Sequence, residues 1–335
     1  MKYFLLFFII SCLTYSQEEY NKEQLKKLTP VQKKHFDEIR NIENLRKKRV
    51  QQYLNQHPRT KKIHKEDSRT LVLYDIIENK PIYRSVYNVS AASATGTTEL
   101  QPGGNLNLNL DGTGVEIGVW DGGPVEDNHP EFVDSFGNSI ITIIDNNQVE
   151  DGGPLPDNHA THVTGTIAAN GTKPEAKGMA PKVNIKSYNF ENDLAEMSLA
   201  ISTTDMILSN HSYGIPIIQR NGTKIASWIM GAYTSDARVT DQIAKLNPNY
   251  LIVASAGNSG NTNYVGGLFP GHDKLTTDKN AKNNLVVANA NPIIDPNTSL
   301  LVSNNINFTS SQGPTDDLRV KPDIAADGTN LESSV

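Results

Sequence analysis

The sequence predicts an α/β protein whose main part is a doubly wound, mostly parallel sheet with helices on both faces, preceded by a basic helical segment. Three observations carry this. Short apolar runs, "VEIGVW", "VNIKSYNF", "ILSNHSYG", "YLIVASAGN" and "NLVVANAN", recur from about Gly112 and are separated by longer segments of helical character. Strands covered by helices on both faces read that way, as continuous apolar runs rather than alternating ones. Charge divides the chain: residues 17–70 carry fifteen Lys and Arg against eight Asp and Glu, whereas residues 71–335 carry fifteen against twenty-nine. Within the basic part, apolar residues recur at helical spacing. The whole chain, 335 residues with 37% apolar side chains, can bury a large core. Its net charge of −6 argues against a non-specific nucleic-acid binder, which needs a concentrated basic face.

The first element, residues 1–16, pairs Lys2 with an apolar run from Tyr3 to Leu13 and reads as a secretory signal peptide. That run is too short to span a bilayer. Thr14 and Ser16 take the small-residue positions before cleavage at Gln17. "IISC" around Cys12 also resembles a lipoprotein cleavage box, and simple cleavage to a secreted or cell-surface protein is the reading taken over lipid anchoring. Cys12 is the one cysteine, so after cleavage at Gln17 residues 17–335 hold no disulfide, thiolate metal site or cysteine nucleophile.

The basic segment, 17–70, opens a helix at Thr29-Pro30-Val31-Gln32, a capping box with proline in the first helical position. Phe36, Ile39, Ile42 and Leu45 follow at helical spacing, and the helix should end before His57-Pro58. It reads either as a solvated linker helix or as a removable pro-segment attracted to an acidic partner domain. Residues 71–111 form a connecting segment, and 112–335 the α/β domain. Asn-, Gly- and Asp-rich stretches near 101–112 and 257–267 read as loops.

In a doubly wound sheet the active site lies beyond the carboxyl ends of the strands, and several candidates stand there. Asp121 ends "VEIGVW" before Gly122-Gly123-Pro124; it can orient a base or simply form the turn. His159 precedes the small-residue stretch "ATHVTGTIAANG", which places it near a helix start, with His162 one turn on. Histidines three apart are weak evidence for zinc, since the zinc-hydrolase helix spaces its ligands by four around a general-base Glu. Asn258 follows the "YLIVASAG" run, and its amide is a neutral donor suited to an oxyanion hole. Ser212, Tyr213 and Gly214 close another run whose backbone can pair with an extended peptide.

Taken in order, these segments resemble the subtilisin-like serine peptidases. "IGVWDGG" is similar to the family's acid segment, "HATHVTGT" to its His-Gly-Thr-His-Val-Ala-Gly-Thr, "SAGNSG" to its oxyanion stretch and "SYG" to its substrate strand, usually Ser-Leu-Gly. "AKGMAPKVNI" and "SSQGPTDDLRVKPDIAADG" also resemble family segments, so the likeness covers about residues 112–335. Gly to Ala at 160 and Ala to Thr at 164 are mild departures.

The resemblance implies a subtilisin-like fold and acyl transfer. Asp121 fixes the tautomer of His159, His159 is the general base, Asn258 donates to the oxyanion, and Ser212, Tyr213 and Gly214 bind substrate; His162 is a structural neighbour. Protein or peptide substrates and the chain's own pro-segment are the implied partners, and nucleic acid is not. No cofactor is required; calcium is frequent in the family, but the sequence assigns no ligands to it. The nucleophile is the departure. "KPDIAADGTNLESSV" leads toward the family's Gly-Thr-Ser-Met-Ala segment without reaching it, and Ser333 and Ser334 lack that setting. The expectation is therefore an enzyme whose serine lies beyond Val335, leaving the 335-residue chain itself inactive. A non-catalytic peptide-binding pseudopeptidase and a zinc hydrolase using His159 and His162 are the alternatives.

Overall fold

The computed structural model describes residues 22–66, 69–86, 92, 94–134, 136–146, 156–219, 222–264, 266–294, 301–328 and 333–334. The expected signal peptide and Cys12 lie outside the described residues.

The chain opens with a short helix, α1 (Lys22–Lys27), and a long one, α2 (Pro30–Gln56). Thr29 caps α2 in the expected box: its hydroxyl accepts from the Gln32 amide and the Gln32 side chain accepts from the Thr29 amide. Phe36 and Ile39 are buried as the spacing predicts, and Ile42 packs beside them, but Leu45 is 48% exposed. Nine residues from Phe36 to Leu45 make two and a half turns, which puts Leu45 on the opposite face. The buried face continues instead through Glu43, Arg46 and Val50.

An antiparallel sheet follows: β1 (Ile63–Glu66), β2 (Arg69–Ile77) and β3 (Lys80–Val86). Glu78 and Asn79, both at positive φ (50° and 59°), close the β2–β3 hairpin in two residues. The expected boundary at residue 70 falls inside β2. Residues 22–86 thus pack as one helix-and-sheet unit, with Val50 and Leu54 of α2 against Leu73 and Tyr83.

Beyond α3 (Thr97–Leu100), the second unit alternates strands and helices: β4 (Glu116–Asp121), β5 (Ile141–Ile143), α4 (Asn158–Ala168), β6 (Asn184–Asn189), α5 (Asp193–Thr203), β7 (Leu208–His211), β8 (Tyr213–Gly214), α6 (Ser235–Leu246), β9 (Leu251–Ser255), β10 (Leu285–Ile294), β11 (Leu301–Ile306) and β12 (Ile324–Asp327). Its main sheet runs β11-β10-β9-β7-β4-β6-β5, with β12 on β10, and every pairing but β10–β11 is parallel. Strand order reverses at β4, which is flanked by β6 on one side and β7 on the other. This is the switch point at which such sheets open a crevice.

Alternation along β4 explains both layers. Ile117 and Val119 join α4 residues Ala160, Val163 and Ala168 in one cluster, while Trp120 joins α5 and α6 residues in the other, which also takes in Phe36 and Ile39 of α2. Trp120 stacks on Tyr188 with centroids 4.1 Å apart, and its ring folds back over Gly118, where a Cβ would collide with it and lie 2.8 Å from the Met206 sulfur. No helix among the described residues is long and apolar enough to cross a membrane.

Candidate active site

Asp121 shares its pleat with Ile117 and Val119, so its carboxylate leaves the end of β4 on the face covered by α4. It is fully buried. Asp121 Oδ1 accepts from the Gly122 amide at 2.7 Å, which fixes the carboxylate against the turn.

His159 sits in the first turn of α4. Asp157 caps that helix, accepting from the Ala160 amide at 2.8 Å, and small residues at 160, 164, 165 and 168 let α4 lie close to the sheet. The result brings His159 Nδ1 to 2.7 Å from Asp121 Oδ1. His162 takes part through its backbone carbonyl, which accepts from Thr166 at 3.1 Å and from Ser333 Oγ at 2.8 Å.

Asn258 lies three residues beyond β9 and, with Ser212, lines a cavity of about 400 Å³. Val163 and Ile167 of α4, Ala256 and Ala288 complete its largely apolar walls. Tyr213 and Gly214 form β8, an edge that is already paired: β3 runs antiparallel to it, with Ser85 opposite Gly214 and Val86 opposite Tyr213. The strand expected to take an extended peptide thus takes a strand of the N-terminal unit. Tyr213 also donates to Asp193 at 2.8 Å and bonds His211 Nδ1 at 2.9 Å, and His211 in turn bonds Ser209 at 2.6 Å.

Ser333 and Ser334 pack against Gly165, where a Cβ would come within 2.5 Å of Ser333 Oγ and 2.7 Å of Ser334 Oγ. Ser334 is buried and its hydroxyl has no partner among the described residues, while Ser333 bonds the His162 carbonyl. Asp157 was not foreseen as a site residue. Its signal is the helix-capping Asp two residues before His159. Asp121, Asp157 and His159 together form a group able to hold a metal ion, with one donor atom from each within 4.8 Å of the others. Two carboxylates and an imidazole nitrogen do not fit calcium, which takes six to eight oxygen ligands.

The comparisons with known proteins agree with this fold. The model of the subtilase family (Peptidase S8) matches residues 112–335. Among solved structures, the CspB protease of Clostridium perfringens is 15% identical, aligns over 73% of this chain and 81% of its own, and gives a TM-score of 0.51. MycP1 from Mycobacterium smegmatis is 15% identical over 77% of this chain and 66% of its own, with a TM-score of 0.39. Fervidolysin from Fervidobacterium pennivorans, a keratinolytic enzyme related to subtilisin, is 16% identical over 70% of this chain and 36% of its own, at 0.40. At such identities the first of these supports a shared fold and the other two carry no argument. With a parallel sheet reversing at β4, an acid and a histidine joined beyond its end, and a family match over most of the chain, this protein belongs to the subtilase family of serine peptidases.

Proposed function

We propose that the protein is a secreted serine endopeptidase in which Asp121 and His159 are two members of the triad and residues 22–86 are an autoinhibitory pro-segment. The observation that carries the reading is the 2.7 Å contact between His159 Nδ1 and the wholly buried Asp121 carboxylate. With the Nδ1 proton held by Asp121, the neutral imidazole presents the lone pair of Nε2 to a serine hydroxyl. Once it takes that proton, the imidazolium is stabilised by the buried anion. The serine oxygen then attacks the scissile carbonyl, and the Asn258 amide donates to the oxyanion as the negative charge forms.

The nucleophile, on this reading, is a serine beyond Val335. Ser333 is engaged with the His162 carbonyl, and Ser334 is buried against α4. The 335-residue chain is then inactive on casein, while the product of a longer reading frame cleaves it. In that longer product His159→Ala removes about 10⁴-fold or more of turnover, as loss of a triad member does, and His162→Ala costs mainly stability. Equal kinetic losses in two well-folded variants overturn the assignment.

A non-catalytic peptide binder needs only the edge of β8, once β3 leaves it. A buried acid bonded to a histidine at a helix start serves no binding purpose, so it favours catalysis. Protein substrates follow from the same edge, which accepts extended backbone from β3. The absence of cysteine downstream of Cys12 suits either side of the membrane, and it is the leader at 1–16 that favours secretion.

A further inference from the structure

We propose that Asp121, Asp157 and His159 form a binding site for one transition-metal dication of the zinc class, and that occupancy blocks the histidine instead of serving the reaction. The proposal rests on the placement of the Asp121–His159 couple; only its inhibitory consequence rests on the peptidase reading.

Three observations support it. The carboxylates come from independent elements, Asp121 from the end of β4 and Asp157 from the cap of α4, so the backbone of each is fixed separately. The three donor atoms lie within 4.8 Å of one another. Finally, Asp121 Oδ2 is buried and has no hydrogen-bond partner among the described residues. A buried carboxylate with one oxygen left without a donor is costly, and a cation bound to that carboxylate offsets the cost of its charge.

The dimensions suit a tetrahedral ion. Zinc bonds of about 2.0–2.2 Å to nitrogen and oxygen place ligand atoms roughly 3.3 Å apart. The Asp121–His159 contact of 2.7 Å therefore opens by about 0.6 Å, and the widest gap, no more than 4.8 Å, closes. Gly123 admits the approach of Asp157, since a Cβ there would lie 3.1 Å from the Asp157 Cβ. Water takes the fourth position. Ligation at Nδ1 displaces the proton that Asp121 holds there; that proton moves to Nε2, so the ligated ring is the neutral Nε2–H tautomer with no lone pair left for a serine hydroxyl. With Nδ1 on the metal and Asp121 drawn to the ion, the imidazole can no longer become the imidazolium that acyl transfer requires. His162 lies outside the group, so this is not the His159–His162 zinc centre considered from the sequence.

Zinc chloride titrated calorimetrically into the purified 335-residue chain tests it, with cobalt(II) absorption reporting tetrahedral geometry. One ion per chain is expected. Asp157→Asn keeps an equally good helix cap, so its unfolding temperature should hold while affinity falls at least about tenfold to a hundredfold, the loss that even outer partners of a metal site produce. His159→Gln should abolish binding and His162→Gln leave it unchanged. No binding, undiminished binding in both Asp157→Asn and His159→Gln, or loss in His162→Gln each overturns the site. Serine labelling of the longer product reports on the peptidase reading separately, so either idea can fail alone.

Discussion

Phe36→Ala tests whether residues 22–86 are a separable unit docked on the peptidase domain. Phe36 is 1% exposed and packs with Ile39 against the α5 and α6 cluster. Removing a buried phenylalanine costs about 3–5 kcal/mol in lost transfer energy and residual cavity, of which better helix propensity returns about half a kcal/mol. A net loss of about 3–4 kcal/mol raises the population in which the unit is undocked by roughly two to three orders of magnitude. Hydrogen exchange followed by mass spectrometry reads this directly, because local opening exposes the amides of the opened unit at its own free energy. Peptides covering α2, β1–β3 and β8 should exchange about 10²–10³ times faster, while those covering β4 and β6 keep their protection. Leu45→Ala, on the exposed face, should change either set by less than about 0.5 kcal/mol. If Phe36→Ala speeds exchange equally in β4 and β6, the two units unfold as one and the pro-segment reading is wrong.

Burial of Glu43 beside Asp193 lifts its carboxyl from 4.5 to about 8 against the attraction of Arg46 and Lys47. The folded protein then holds a proton that the unfolded chain releases between those values, so stability should fall as pH rises through that window, by up to about 1.4 kcal/mol per unit. Thermal midpoints measured against pH should show that slope, and Glu43→Gln should flatten it. Gly118→Ala drives a methyl into the Trp120 ring and should destabilise by about 1–3 kcal/mol with a shifted tryptophan emission; unchanged emission and stability would contradict the packing described. A separately produced 17–86 segment should inhibit the longer product, and because a basic segment faces an acidic domain its inhibition should weaken with salt; salt-independent inhibition contradicts the electrostatic account.

Much of the peptidase domain was legible because its strands are buried on both faces. Each of the five apolar runs holds a strand, from β4 to β10, though "ILSNHSYG" is split at Ser212 into β7 and β8. The places of Asp121 and His159 in the fold were readable because glycines end the strand of the first and a small-residue helix follows the second; the capping Asp157 was missed. The sheet of residues 63–86 was not. Its hairpin turns on Glu78-Asn79 rather than on the Asn-Gly or Asp-Gly pair that signals such a turn, and its strands sit beside basic residues that read as linker. Leu45 misled for a different reason, since a spacing of three sustained over nine residues drifts around the helix, and the buried face was filled by Glu43 and Arg46 instead. Charged residues there are held by partners no local pattern encodes, such as Tyr74, which bonds both Arg46 and Asp236.

The central claim is that Asp121 and His159 await a serine located beyond Val335. Its most direct test is fluorophosphonate labelling of the natural reading frame's full product and of the 335-residue chain, each followed by peptide mapping. The account predicts no label on the short chain and, on the longer one, a single labelled serine within a Gly-x-Ser-x-Ala segment that opens a helix, with labelling lost in His159→Ala. Label on Ser333 or Ser334, or a longer product that carries no reactive serine, contradicts it.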